Sequence, residues 1–237
     1  MLNKLGKLLK YEFLFYFRIL LPLYLLIILI AVAIRFQGLT SGNSSMPGIF
    51  LMVLVLGALS IAMCVITIIL VIQRYIDNFL KESGYLMFSL PVTVWALIAS
   101  KAIAAFCMII LGYLSIIIST MIHSVKSENW EYLLNFVRYN PNNIILSVVS
   151  ILLTSLQQIC LFYAVITVAF MLPRFRNLAA FAMYFFIMFF VEQNVFKIIE
   201  RSAHNYTSLV NNLASLIFAA IFFYITGFLL KRSYNLE

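Results

Sequence analysis

Charge is what this chain has least of. Only 10% of its 237 residues are Asp, Glu, Lys or Arg, against about 25% in ordinary soluble domains. Hydrophobic residues make up 65%, and the mean hydropathy is +1.07. Together these exclude a water-soluble globule and predict an all-α integral membrane protein. The chain is read as one transmembrane domain, 1–237, largely consumed in crossing the bilayer.

Other shortages exclude chemistries. There are 2 histidines, no H-E-x-x-H and no paired carboxylates inside the apolar runs, so the residue sets of a membrane-embedded enzyme are missing. The 3 cysteines, Cys64, Cys107 and Cys160, each sit within an apolar run. They fit small core residues and have neither a disulfide framework nor metal-ligand spacing. No G-x-x-x-x-G-K-[ST] loop occurs, so nothing here can cradle the phosphates of ATP. No catalytic, cofactor-binding or metal-ligating residue is assigned. The net charge of +8 is not read as a nucleic-acid footprint, because basic residues flanking apolar spans record orientation.

What is present is a set of apolar runs. Residues 1–17 form an amphipathic helix suited to the membrane interface. Leu2, Leu5, Leu8, Leu9 and Phe13 fall in one arc and Lys4, Lys7 and Lys10 in the opposite one, with the lysines facing lipid headgroups. Glu12 lies inside the apolar arc, where a lone carboxylate is costly, and a basic partner is expected from Arg74, Lys81, Arg174 or Arg176. Membrane helices follow at 19–36, 49–72, 94–122, 144–172, 178–196 and 213–230. Ala31-Val32-Ala33 resembles a signal-peptide cleavage site, but the long leading region with Glu12 argues against one. Trp95 is expected as an interface anchor and Lys101 as a snorkelling lysine. Gln157 and Gln158 interrupt the fourth run and fit either interhelical bonding or the wall of a polar pathway. The apolar part of the fifth run, 178–191, is too short to cross straight. A broken or re-entrant segment is expected after it, dipping into the membrane as an outer cap that includes Glu192, Phe196 and Glu200.

The connector at 73–93, QRYIDNFLKESGYLMFSLPVT, has the densest pattern. Ile76, Phe79 and Leu80 share one face of a short amphipathic helix, and Asp77 precedes Lys81 by four residues. Gly84 can cap that helix, and Pro91 delays the next. Tyr85 to Leu90 is an apolar patch too short to span. Six spans place both termini on one side. That side carries eleven of the 16 basic residues, the other only Arg35, Lys126, Arg138, Lys197 and Arg201. The excess puts the termini and 73–93 in the cytoplasm.

An amphipathic leading helix with KYEF, six spans and KESGYLMFSLPV before the third span together resemble the permease subunits of bacterial ABC transporters of the type-2 exporter class. The sequence departs slightly from the family's acidic-Gly-Tyr-Leu run, since Ser83 separates Glu82 from Gly84. The resemblance implies that 73–93 contains a cytoplasmic coupling helix between spans two and three. Ile76, Asp77, Phe79, Leu80, Lys81, Glu82, Gly84 and Tyr85 would then meet a separate ATP-binding subunit, which would hold ATP and Mg. It further implies a second permease, identical or related, in the bacterial plasma membrane, and extracellular re-entrant helices at the fifth span. The 22 Phe and 13 Tyr suit an amphipathic cargo, with peptides, lipid-like compounds and drugs all fitting. A stand-alone immunity or scaffold protein without a motor is the alternative.

The Glu12 reading carries a test. Glu12→Gln is expected to loosen the leading helix, seen as faster amide hydrogen exchange over residues 6–17. Unchanged protection would mean that the carboxylate simply reaches water.

Overall fold

The computed structural model describes residues 2–40, 46–80, 92–124, 141–172, 175–202 and 207–233. In chain order its elements are α1 (Leu2–Thr40), α2 (Met46–Phe79), α3 (Val94–Ser124), α4 (Pro141–Phe170), α5 (Arg176–Phe186), a π-helical segment (Ile187–Glu192), α6 (Gln193–Ser202) and α7 (Thr207–Ser233). There is no strand among the described residues. Among the described residues, six stretches are long and apolar enough to cross a membrane: Gly6–Phe36, Leu54–Phe79, Val94–Ile122, Ile144–Phe170, Arg176–Ile198 and Ser208–Arg232.

Several boundaries differ from those read in the sequence. α1 is one helix of 39 residues with Pro22 inside it, so the interfacial segment and the first span are continuous. Residues 17–21, FRILL, contain no glycine or capping residue to end the helix. α2 likewise runs past residue 72 to Phe79, and the Leu80 amide donates to the Ile76 carbonyl at 2.9 Å. The short helix expected around Ile76 thus forms the last turns of α2. The fifth span meets no break. Ile187 and Gln193, at the two ends of the π-helical segment, both have right-handed helical backbone. The chain there widens by a residue per turn instead of unwinding, which keeps its backbone hydrogen bonds internal.

The helices are apolar outside and partly polar inside. Leu29, Phe36, Ile61, Leu178, Phe181 and Tyr224 are among the large exposed side chains, whereas Ser100, Ser115, Ser119, Ser155, Thr167, Ser215 and Thr226 are buried. An apolar exterior around an interior that is itself mostly apolar suits hydrocarbon surroundings. Most of these hydroxyls bond within their own helix. Ser100 donates to the Leu97 carbonyl, Ser115 to Gly112, Thr167 to Tyr163 and Thr226 to Phe222, all at 2.7–2.8 Å.

The chain divides into two compact units. The first comprises Lys10–Leu70 and Cys107–Pro141. There the Tyr24 hydroxyl donates to the Met108 carbonyl at 2.9 Å, and Arg35 Nη1 donates to the Ile122 carbonyl at 3.0 Å. The arginine thereby satisfies a C-terminal carbonyl of α3 that its own helix leaves free. The second unit comprises Met1–Leu9, Val71–Phe106 and Asn142–Glu237. Cys160, Leu161, Ala164 and Val165 of α4 pack with Ala219 and Phe222 of α7, and Ala180, Met183 and Tyr184 of α5 lie against them.

Trp95, expected at the membrane interface, packs on α7. Its ring centroid lies 5.7 Å from those of Phe223 and Tyr224, and a Cβ built on Gly227 would sit 2.2 Å from the indole. Gly227 is what lets the indole lie on the helix backbone. Gly227→Ala is therefore expected to lower stability by about 1–3 kcal/mol through overpacking. Gly57→Ala, with nothing within 4 Å of the added carbon, should be neutral or stabilise by up to about 1 kcal/mol. Thermal unfolding in detergent, followed by loss of the monodisperse peak, compares the two. Equal midpoints would show that Trp95 moves aside at no cost.

Candidate functional site

The last turns of α2 place Val71, Tyr75 and Phe79 on one face, each four residues from the next. All three are buried, with Tyr75 and Phe79 at 0% exposure. Gln73 and Asp77, on the other face, are exposed. The tyrosine ring stacks on Tyr163 of α4, centroids 4.2 Å apart and planes 12° from parallel. Its hydroxyl lies 2.6 Å from Thr167 Oγ1. Thr167 already donates its proton to the Tyr163 carbonyl, so Tyr75 is the donor to Thr167.

α3 adds the charge. Lys101 is 1% exposed, and its Nζ lies over the Phe79 ring, 5.2 Å from the centroid. This corrects the snorkelling expectation. Lys101 stands among Leu97, Ile98, Ala102, Ala104 and Ala105, all buried, and the α3 face that carries it turns inward. An ammonium taken into a membrane helix costs about 2.5–3.5 kcal/mol on insertion scales. A desolvated cation–π contact contributes about 2 kcal/mol against that. The lysine contact joins α3 to the end of α2, and the tyrosine stack joins α4 to it, immediately ahead of KESGYLMFSLPV.

The remaining sequence-predicted residues are spread along the structure. Ile76 and Leu80 are half-buried and Asp77 is exposed. Lys81, Glu82, Gly84 and Tyr85 lie outside the described residues. Glu12 is 3% exposed, in line with its place in the apolar arc. Gln157 is buried. Gln158 meets the fifth span: Tyr184 donates to Oε1 at 3.3 Å, and Nε2 lies 3.3 Å from Met188 Sδ. Phe162 stacks on the same Tyr184 at 4.7 Å. Phe196 of α6 is half-buried and faces Phe218 of α7 at 6.3 Å. The side chains of Glu192 and Glu200 lie outside the described residues.

Sequence reasoning gave no weight to Tyr75, Tyr163 and Thr167. The four-residue spacing of Val71, Tyr75 and Phe79 was the available signal. It was obscured because Ile76, Phe79 and Leu80 suggested a different face. Comparison with known protein families, with characterised proteins and with solved structures returns no match.

The lysine–aromatic contact predicts a measurable coupling. Phe79→Leu should lower the thermal midpoint in detergent, whereas Lys101→Met, which removes a buried charge together with the contact, should leave it unchanged or raise it. The double variant should lose less than the sum, by about 0.5–2 kcal/mol. Additivity within about 0.3–0.5 kcal/mol would mean that the ammonium gains nothing from the ring.

Proposed function

We propose that this chain is the membrane-spanning subunit of an ATP-driven exporter of the type-2 ABC class, coupled to a separate ATP-binding subunit. The observation that carries the reading is the connector between the second and third spans. KESGYLMFSLPV resembles the coupling stretch of such permeases, and it follows directly on a helix end clamped by Tyr75, Phe79, Lys101 and Tyr163. A docking element has to pass force to the spans, and a mobile tether would dissipate it. The buried clamp supports that requirement.

In this reading both termini and the connector are cytoplasmic, in a bacterial plasma membrane. Asp77, Lys81 and Glu82 form the charged turn that meets the ATP-binding subunit, which holds ATP and Mg, while Ile76, Leu80 and Tyr85 rest on lipid or on that partner. The chain has no phosphate-cradling loop of its own. A second permease, identical or related, completes the pathway, since six helices make a small bundle. The segment from Glu192 through Phe196 and Glu200 serves as the outer cap, and the cargo is a peptide, a lipid-like compound or a drug.

Copurification tests this directly. The wild-type chain, expressed with its candidate ATP-binding subunit, is expected to retain that subunit through affinity purification. Reversing the charges of Asp77, Lys81 and Glu82 together should abolish retention while leaving membrane insertion intact. Retention unchanged by the reversal would remove the connector from the interface. Absence of any ATPase partner from wild-type preparations would favour the stand-alone immunity or scaffold alternative.

A further inference from the structure

Trp95, in the first turn of α3, reaches the last turns of α7. A Cβ built on Gly227 would fall 2.2–2.6 Å from Cζ3, Cη2 and Cε3 of the indole. The benzo edge is therefore the part seated on α7. Nε1 lies across the ring system from Cε3 and Cζ3, turned away from that helix. Its proton makes no hydrogen bond among the described residues, and the side chain is 37% exposed. A tryptophan in a membrane protein places its N–H toward an acceptor at the level of the lipid headgroups.

α7 adds charge on the same face. Tyr224, Gly227, Phe228, Lys231 and Arg232 stand at i, i+3, i+4, i+7 and i+8, which is one side of a helix. Lys231 and Arg232 are exposed and make no ion pair among the described residues. Neither α3 nor α7 contains an Asp or Glu, so nothing on these two helices offsets the two cations. Beside an indole donor at the end of a span, they select a headgroup with phosphate oxygens and a net negative charge. A zwitterionic headgroup would bring its own ammonium against them.

The rings supply the apolar part. Tyr224 and Phe228 are exposed and stack with centroids 6.4 Å apart, and the indole stacks on Tyr224 at 5.7 Å. At 1.5 Å per residue, Phe228 and Tyr224 lie about 4.5 Å and about 10 Å back along α7 from Lys231, toward the middle of the span. A soluble phosphate would engage the cations alone. A lipid whose headgroup meets them lays the start of its chains along the two rings. We propose that this seam is a binding site for an anionic phospholipid, its phosphate held by Lys231, Arg232 and the Trp95 N–H and its chains by Phe228 and Tyr224. The site does not depend on an ATPase partner, and its test is separate from that of the exporter reading.

The full chain is purified in dodecyl maltoside and mixed with equimolar dioleoylphosphatidylglycerol and dioleoylphosphatidylcholine. Bound lipid is read by native mass spectrometry. The first lipid retained should be phosphatidylglycerol, preferred by roughly tenfold. Lys231→Gln combined with Arg232→Gln should bring the ratio close to one, and both side chains are exposed, so the fold is spared. Trp95→Phe keeps a ring on Gly227 and removes the N–H, and should cut the preference by roughly threefold. Lys7→Gln combined with Lys10→Gln, on the leading helix, should leave it unchanged. Equal retention of the two lipids by the wild-type chain, or a preference that survives loss of both cations, overturns the site. A preference untouched by Trp95→Phe also overturns it, because only charge at a helix end would remain. Loss of the preference in the Lys7 and Lys10 variant would place the lipid on the leading helix instead. Displacement by millimolar inorganic phosphate would show recognition of the phosphate alone and overturn the assignment to a lipid.

Discussion

Hydrocarbon cannot hydrogen-bond, and that constraint organises this molecule more than any single contact. Each helix keeps its own backbone groups paired, and the serines and threonines fold their protons back onto carbonyls three or four residues earlier. A hydroxyl treated this way retains acceptor capacity but has no proton to offer. Interhelical polar contacts therefore fall to side chains with more reach. Gln158 bonds to Tyr184 and Met188, Arg35 to the end of α3, and Tyr75 to Thr167.

The same constraint explains why Lys101 is informative. A lysine near the end of a span can usually reach water along its own stem, which makes burial at 1% exposure something the surroundings must compensate. Phe79 does part of this with its ring face. The aromatic face of α2 that receives the lysine also stacks on α4 through Tyr75 and Tyr163. The lysine contact and the tyrosine stack thus meet on one face of α2 at the point where the chain leaves for the connector.

Much of the architecture was legible because span length and apolarity follow directly from bilayer thickness. The third span was expected at 94–122, and α3 begins at Val94, where the Thr93 carbonyl accepts from the Ala96 and Leu97 amides. Gln158 could be read as an interhelical amide or as a pathway wall, and its neighbours Tyr184 and Met188 left no signal in the sequence. Continuity was harder to read. Neither the merging of the leading helix with the first span nor the extension of α2 to Phe79 leaves a local signal, because both depend on the absence of a stop. Lys101 was misplaced for a related reason. Sequence position gives a residue's depth in the membrane, whereas its facing depends on which neighbours pack there.

The π-helical segment shows how a local departure can serve the packing on both sides of it. Tyr184 and Met188, four residues apart, both meet Gln158, which fixes one face of the fifth span against α4 just as the widened turn begins at Ile187. An extra residue in a helical turn rotates everything after it by about 100°. With that rotation, Phe196 faces Phe218 of α7 and Ile198 points outward, 63% exposed. The sequence after Val191 looks too polar to continue a span because Glu192, Lys197, Glu200 and Arg201 stand among its apolar residues. The π-helical turn carries the chain from the Gln158 contacts to the Phe196–Phe218 contact with its backbone still helical.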